Sequence, residues 1–184
     1  MTVSLFRATA IATALLMVTI LTVNRSQAAF TDNTVNTGSS FATNTVVLTD
    51  DDAGSALFTA TGMTAGSSVV ECIVVTYSGT QLPAPVRMFG TTTGGLDTYL
   101  DTTIEIGSGG SFGSCAGFTP ASTLFNNTLE NFSTTHTNWT TGLPAFTAAA
   151  NPTNQTLRFT ITVQNTDSAQ GLSSTANFTF ETQA

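Results

Sequence analysis

Leu157-Arg158-Phe159-Thr160-Ile161-Thr162-Val163-Gln164 sets the fold class. Leu157, Phe159, Ile161 and Val163 fall on one side of an extended chain, and Arg158, Thr160, Thr162 and Gln164 on the other. Such period-two alternation marks a half-buried strand, because successive side chains leave a pleated backbone on opposite faces. Nearer the C-terminus, Ala176, Phe178 and Phe180 alternate in the same way with Asn177, Thr179 and Glu181. Upstream, Ser68 to Tyr77 is apolar on both faces, with Val69, Ile73, Val75 and Tyr77 set against Val70, Cys72 and Val74. That run predicts a central strand covered on both sides. Thr45 to Thr49, Ala56 to Ala60, Val86 to Phe89 and Thr98 to Ile106 complete the strand candidates. Turn-forming clusters separate them, among them Asp50-Asp51-Asp52-Ala53-Gly54, Ala65-Gly66, Ser78-Gly79, Gly94-Gly95 and Gly107 to Gly113. Short strands with frequent turns predict an antiparallel β-sandwich of jelly-roll or immunoglobulin-like type. The one helical candidate is Ala121 to Phe132, where Leu124, Phe125, Leu129 and Phe132 form an apolar stripe after Pro120. The expected fold is therefore all-β with at most a short helix.

The first 29 residues read as a cleaved signal peptide. Arg7 is the positive start, Ala8 to Val23 the apolar run, and Asn24 to Gln27 the polar end. Small residues at Ser26 and Ala28 place the cut before Ala29, with the bond before Phe30 as the alternative. The run is short for a membrane span of about twenty residues. A secreted protein, free of the membrane after cleavage by a signal peptidase, is the expectation. Residues 30–184 then form a single β-sandwich domain. Within it, residues 30–44 are polar without clean alternation and read as an arm not fixed in its own sandwich.

The chain has no lysine, and only Arg87 and Arg158 remain after the leader. Those two arginines against 11 acids give the mature chain a net charge of −9. Phosphate binding needs clustered Lys and Arg, so nucleic acid is excluded as a partner, and anionic lipid with it. The scattered acids serve solubility. Cys72 and Cys115 are an even pair in a chain read as secreted, which predicts one disulfide. Two free thiols or a metal pair are the alternatives, and the spacing matches no zinc pattern.

Several landmarks in order resemble the TasA/camelysin family. They are the junction Ala29-Phe30-Thr31-Asp32, then Asn36, Phe41 and the Val46-Val47-Leu48 strand, then the turn Met63-Thr64-Ala65-Gly66-Ser67-Ser68-Val69, and then Cys72 to Gly79. Leu100 to Ile106, Ser108 to Phe118 and Ala169-Gln170-Gly171 are similar to the actinobacterial branch. Asn44 stands where the family usually has Gly, and Ala65 and Ser67 replace Pro and Asp of the turn. The resemblance implies a jelly-roll β-sandwich whose N-terminal arm, freed by signal cleavage, adds as a strand to the next subunit of a fibre. Phe30, Val35 and Phe41 would be the arm's anchors. Phe30 and Val35 fall on opposite faces of an unbroken strand, so a bulge or bend has to intervene. The alternative is that these residues close their own sheet.

Gly109-Gly110-Ser111-Phe112-Gly113 has the form of a nucleophile elbow, which joins a strand to a helix. Ser114-Cys115-Ala116-Gly117 starts no helix, so a loop tied down by Cys115 is expected. His136 is the sole histidine, three residues before the sole tryptophan, Trp139. Some camelysin relatives are described as metalloproteases, but one histidine without H-E-x-x-H builds no zinc centre. His136 therefore reads as a loop residue packed near Trp139. Asp50, Asp51 and Asp52 supply oxygen ligands of the type Ca²⁺ takes. Their spacing is not that of an EF-hand, and an exposed turn is the plainer reading. Asn126, Asn131, Asn138, Asn154 and Asn177 begin N-x-S/T sequons and read as by-products of an Asn/Thr-rich surface. Trp139, Tyr77 and Tyr99 are too scattered to argue a sugar-binding platform.

The expectation is a structural subunit of extracellular fibres or biofilm-type matrix, with no active site, metal or cofactor. Its partners would be copies of itself or related subunits. The alternatives are a monomeric adhesin or carbohydrate-binding module and, disfavoured by ligand count, a camelysin-like metalloprotease.

Overall fold

A computed structural model describes residues 45–60 and 62–183. The alternating stretches become its longest strands. In chain order the elements are β1 (Leu48–Asp50), β2 (Ser68–Tyr77), β3 (Ala84–Gly94), β4 (Leu100–Ser108), β5 (Thr119–Thr128), α1 (Leu129–Thr135), β6 (Leu143–Ala148), β7 (Thr153–Val163) and β8 (Ser174–Thr182). All strand pairs are antiparallel, in a five-stranded sheet of order β1-β2-β7-β4-β5 and a three-stranded sheet of order β6-β3-β8.

β7 is the centre of the larger sheet, pairing with β2 on one side and β4 on the other. Its Leu157, Phe159, Ile161 and Val163 are buried. The face they define continues through Ile73, Val75 and Tyr77 on β2 and Leu100, Thr102 and Ile104 on β4. Ala84, Val86 and Met88 of β3 and Ala145 of β6 close the core from the smaller sheet. Phe132 of α1 and Phe178 of β8 complete an aromatic stack, with Phe178 centred 4.9 Å from Phe159 and 5.5 Å from Phe132. These are offset and tilted contacts of the kind aromatic quadrupoles favour. The result is a β-sandwich-like all-β fold with one short helix.

Three expectations need correction. Ala121 to Phe132 is not a helix: the chain stays extended through Thr128, and only Leu129–Thr135 is helical. Pairing with β4 overrides the apolar stripe, and the Asn126-Asn127-Thr128 run has low helix propensity. Thr128 caps α1, its Oγ1 accepting from the Asn131 N–H at 3.2 Å. Ala56 to Ala60 is not a strand, because it pairs with no neighbour. Finally, β2 is covered on both faces only in its second half, since Val70 is 45% exposed. β5 and β6 were not anticipated. β6 carries Pro144, which an edge strand tolerates because its outer N–H has no ladder partner to lose.

Candidate assembly edge and groove

A two-sheet protein has four lateral strands, and each exposes a row of unpaired backbone groups unless it is blunted. Here the four are β1, β5, β6 and β8. β1 is only three residues long. β5 contains Pro120 and meets β4 with two breaks in register. β6 contains Pro144 and its register with β3 shifts once. β8 has none of these features. It runs nine residues without proline, keeps unbroken register with β3 from Thr182 to Ser174, and carries no charge before Glu181.

Beside β8 the space between the sheets is incompletely filled. A cavity of about 500 Å³ lies between β8, the inner face of β2 and β7, and the segment that links β1 to β2. Its wall is mixed, with Leu57, Phe58, Val69, Ile73, Ile161 and Phe178 on the apolar side and Asp50, Ser55 and Asn177 among the polar residues. A second cavity of about 250 Å³ continues it past Leu48, Val75 and Phe180. The two share Asp50, Phe178 and Phe180 and form one groove along β8.

Two polar atoms are buried on the strands beside the groove, outside its lining. Among the described residues, Glu71 Oε2 and Thr182 Oγ1 are buried side-chain atoms without a hydrogen-bond partner. Glu71 opposes buried Phe159 in register and so faces inward from β2. Thr182 opposes buried Val86 and faces inward from β8. Unpaired buried acceptors are costly, and both belong to the strands flanking the groove. Asp50 stands where the two cavities meet. Burial is the main cause that lifts this carboxyl above its ordinary value, with the hydrogen bond and charge of Asp52 adding to the effect.

The outer face of β2 is organised differently. Cys72 and Cys115 form the expected disulfide, which draws the 108–118 loop over Arg158. Arg158 donates from Nε to Glu105 Oε2 at 2.8 Å and lies 4.7 Å from the Phe118 ring centre. Asp51 reinforces this closure. Its Oδ1 accepts the Val74 N–H and its Oδ2 the Phe112 N–H, both at 2.8 Å. Asp52 Oδ1 accepts the Gly54 N–H at 2.6 Å. The three adjacent aspartates are thus divided between a clamp, a turn and the groove wall. Among the described residues no group of three His, Cys, Asp or Glu is placed to hold a metal.

His136 ends α1, its N–H donating to Phe132 O at 2.8 Å. Its ring packs on Phe132 and Phe125 rather than on Trp139, and Nδ1 is 2.8 Å from Thr141 O. This corrects the expected Trp139 contact. Trp139 instead carries Arg87, whose guanidinium lies 5.4 Å from the ring centre. The Gly109–Gly113 stretch leads into a tight turn bridged by Ser111 and Ser114, with no helix after it. The five sequon asparagines are all exposed. The leader and the arm anchors Phe30, Val35 and Phe41 lie outside the described residues. Among the described residues no helix is long and apolar enough to cross a membrane.

No protein-family model matches the chain, and no curated protein matches it. The class that the geometry defines is a disulfide-clamped two-sheet β protein in which, among the described residues, β8 is the one lateral strand that is not blunted. Sequence reasoning missed that edge, Glu71 and the Asp51 clamp. Pro120 and Pro144 do fall on edge strands, but Pro85 sits in central β3, so proline alone could not have singled out β8.

Proposed function

We propose that this chain is a secreted structural subunit of extracellular fibres or matrix, similar to the TasA/camelysin proteins, which assembles by strand addition on β8. The observation that carries the reading is the unblunted β8 edge beside a groove floored by Val69, Ile73, Ile161 and Phe178. Strand addition supplies backbone hydrogen bonds along the edge, and alternate side chains fill the pocket behind it. The donor is the 30–44 arm of another copy, with Phe30, Val35 and Phe41 as anchors. In this reading the sandwich is jelly-roll-like and the subunit carries no catalytic step, metal or cofactor.

The test is negative-stain electron microscopy of the mature chain, concentrated at low salt. Three chains are compared: the parent, a deletion of residues 30–41, and an Asn177→Lys/Thr179→Lys variant. Both lysines replace exposed residues of β8, so folding should survive and the edge should become charged. Filaments from the parent alone are the expected result. Monodisperse parent particles, or filaments that persist in both altered chains, would overturn the reading.

A further inference from the structure

The link between β1 and β2 passes over the open side of the sandwich, and its middle is held differently from its ends. At the first end Asp51 is pinned to Val74 and Phe112, and the Ser55 N–H donates to Asp52 O at 2.9 Å. At the second end the Gly66 N–H donates to Val163 O at 2.8 Å, and the Val163 N–H to Ser67 O at 2.9 Å. Between these anchors, no backbone hydrogen bond joins Ala56–Ala60 to the other described residues. The segment touches the core only through side chains. Leu57 and Phe58 are half-buried against it, with Phe58 edge-on to Phe159 at 6.0 Å. Ala56–Ala60 lines the 500 Å³ cavity opposite β8 and leaves that cavity unfilled.

The junctions are hinge-like. Ala53 and Gly54 have φ of 52° and 80° before the segment, and Gly62 and Gly66 have 66° and 78° after it. Left-handed backbone lets the chain reverse direction over one or two residues, and a non-glycine residue there is uncommon. A segment with few contacts and no backbone bonds belongs to the low-stability end of a fold.

We infer that Ala56–Ala60 is a strap that occupies the strand-acceptor groove of the free subunit and is displaced when a second copy's 30–44 arm enters. This rests on the strand-addition reading. Leu57 and Phe58 stand in for the side chains of the incoming strand. They cover the apolar wall, so the free subunit does not present it to solvent, and they leave the β8 backbone unpaired. The competent subunit is then a minor population, and apparent affinity for the arm is lowered by the fraction of time the strap is open.

The mature parent is compared with a Leu57→Ser/Phe58→Ser variant by light scattering and electron microscopy, with near-ultraviolet circular dichroism to confirm folding. Weakening the strap should raise the open fraction and shorten the lag before filaments by about tenfold. A folded variant that assembles at the parent rate or slower would overturn the inference. Hydroxyl-radical footprinting of the parent supplies an answer even if the variant fails to fold. Leu57, Phe58 and Met63 should oxidise faster in filaments than in free subunits. Equal or greater protection in filaments would show that the strap stays in place. Absence of filaments from both chains would overturn strand addition itself, and the strap with it.

Discussion

Reducing the Cys72–Cys115 bond should cost this protein a large part of its stability. The bond spans a sequence separation of 43. Closing a loop of that size removes unfolded-state entropy equivalent to about 4 kcal/mol at 25 °C, before any offset from native strain. The folded side should change little, because other contacts hold the same loop. Asp51 keeps the Phe112 N–H, and Phe118 keeps its place against Arg158. The loss therefore arises mainly in the unfolded chain. For the Thr43–Ala184 unit the unfolding entropy is about 0.3 kcal/mol/K, so the midpoint should fall by about 13 °C. Calorimetry of the oxidised chain, and of the same chain in excess dithiothreitol, measures this without changing a residue. Circular dichroism at 20 °C should show the same folded spectrum for both. A fall of less than about 3 °C would correspond to under about 1 kcal/mol and would refute loop closure as the source of stability.

Three further outcomes follow from contacts around the groove and clamp. Asp51→Ala removes the acceptor for two backbone N–H groups and should cost about 1–3 kcal/mol in urea denaturation, with Asp51→Asn recovering part of it; an unchanged midpoint would show that solvent replaces the clamp. Asp97 is buried and accepts from Thr92 Oγ1 at 2.6 Å, while its N–H donates to Ser174 Oγ at 2.7 Å. Asp97→Ala should lower stability by about 1–2 kcal/mol by removing one acceptor of the Thr92 hydroxyl, which keeps Ser133 Oγ at 2.8 Å, and by opening a void, and a loss below about 0.5 kcal/mol would contradict that role. Asp50 has a folded carboxyl raised above 3.8, chiefly by burial and then by Asp52. A carboxyl raised on folding contributes stability that is present below its unfolded value and lost as pH rises through the folded one. Asp50→Asn should therefore be slightly more stable than the parent at pH 7, the gap closing as pH falls toward 3.8; a gap constant across that window would rule out the titration.

The all-β class was legible because β7 and β8 obey a simple period. Leu157, Phe159, Ile161 and Val163 needed no tertiary information to be read as one face. The Cys72–Cys115 bond was legible from number and chemistry alone. Ala56 to Ala60 misled because its residues suit a strand, whereas a strand exists only where a neighbour supplies the ladder. β5 misled for the converse reason: Leu124, Phe125, Leu129 and Phe132 fit a helical stripe, but β4 was available to pair with. Only Leu129 and Phe132 kept the helical role. The candidate site was the least legible part. A free edge is a property of strand order, and strand order depends on contacts far apart in sequence. Glu71 looks like an outward acid within an apolar run until its register with Phe159 shows that it faces inward.

That a single lateral strand is unblunted also bears on the symmetry of any polymer. An interface formed by one acceptor edge and one donor segment is heterologous, so addition repeats one operator rather than pairing two like faces. Unless the rotation closes a ring, the product is an open filament of defined polarity. One terminus would present a vacant acceptor and the opposite terminus an unused donor. A soluble peptide copying residues 30–44 would then cap the vacant-acceptor terminus and also fill the grooves of free subunits, whereas filaments capped and then washed free of peptide would add labelled subunits at the donor terminus alone.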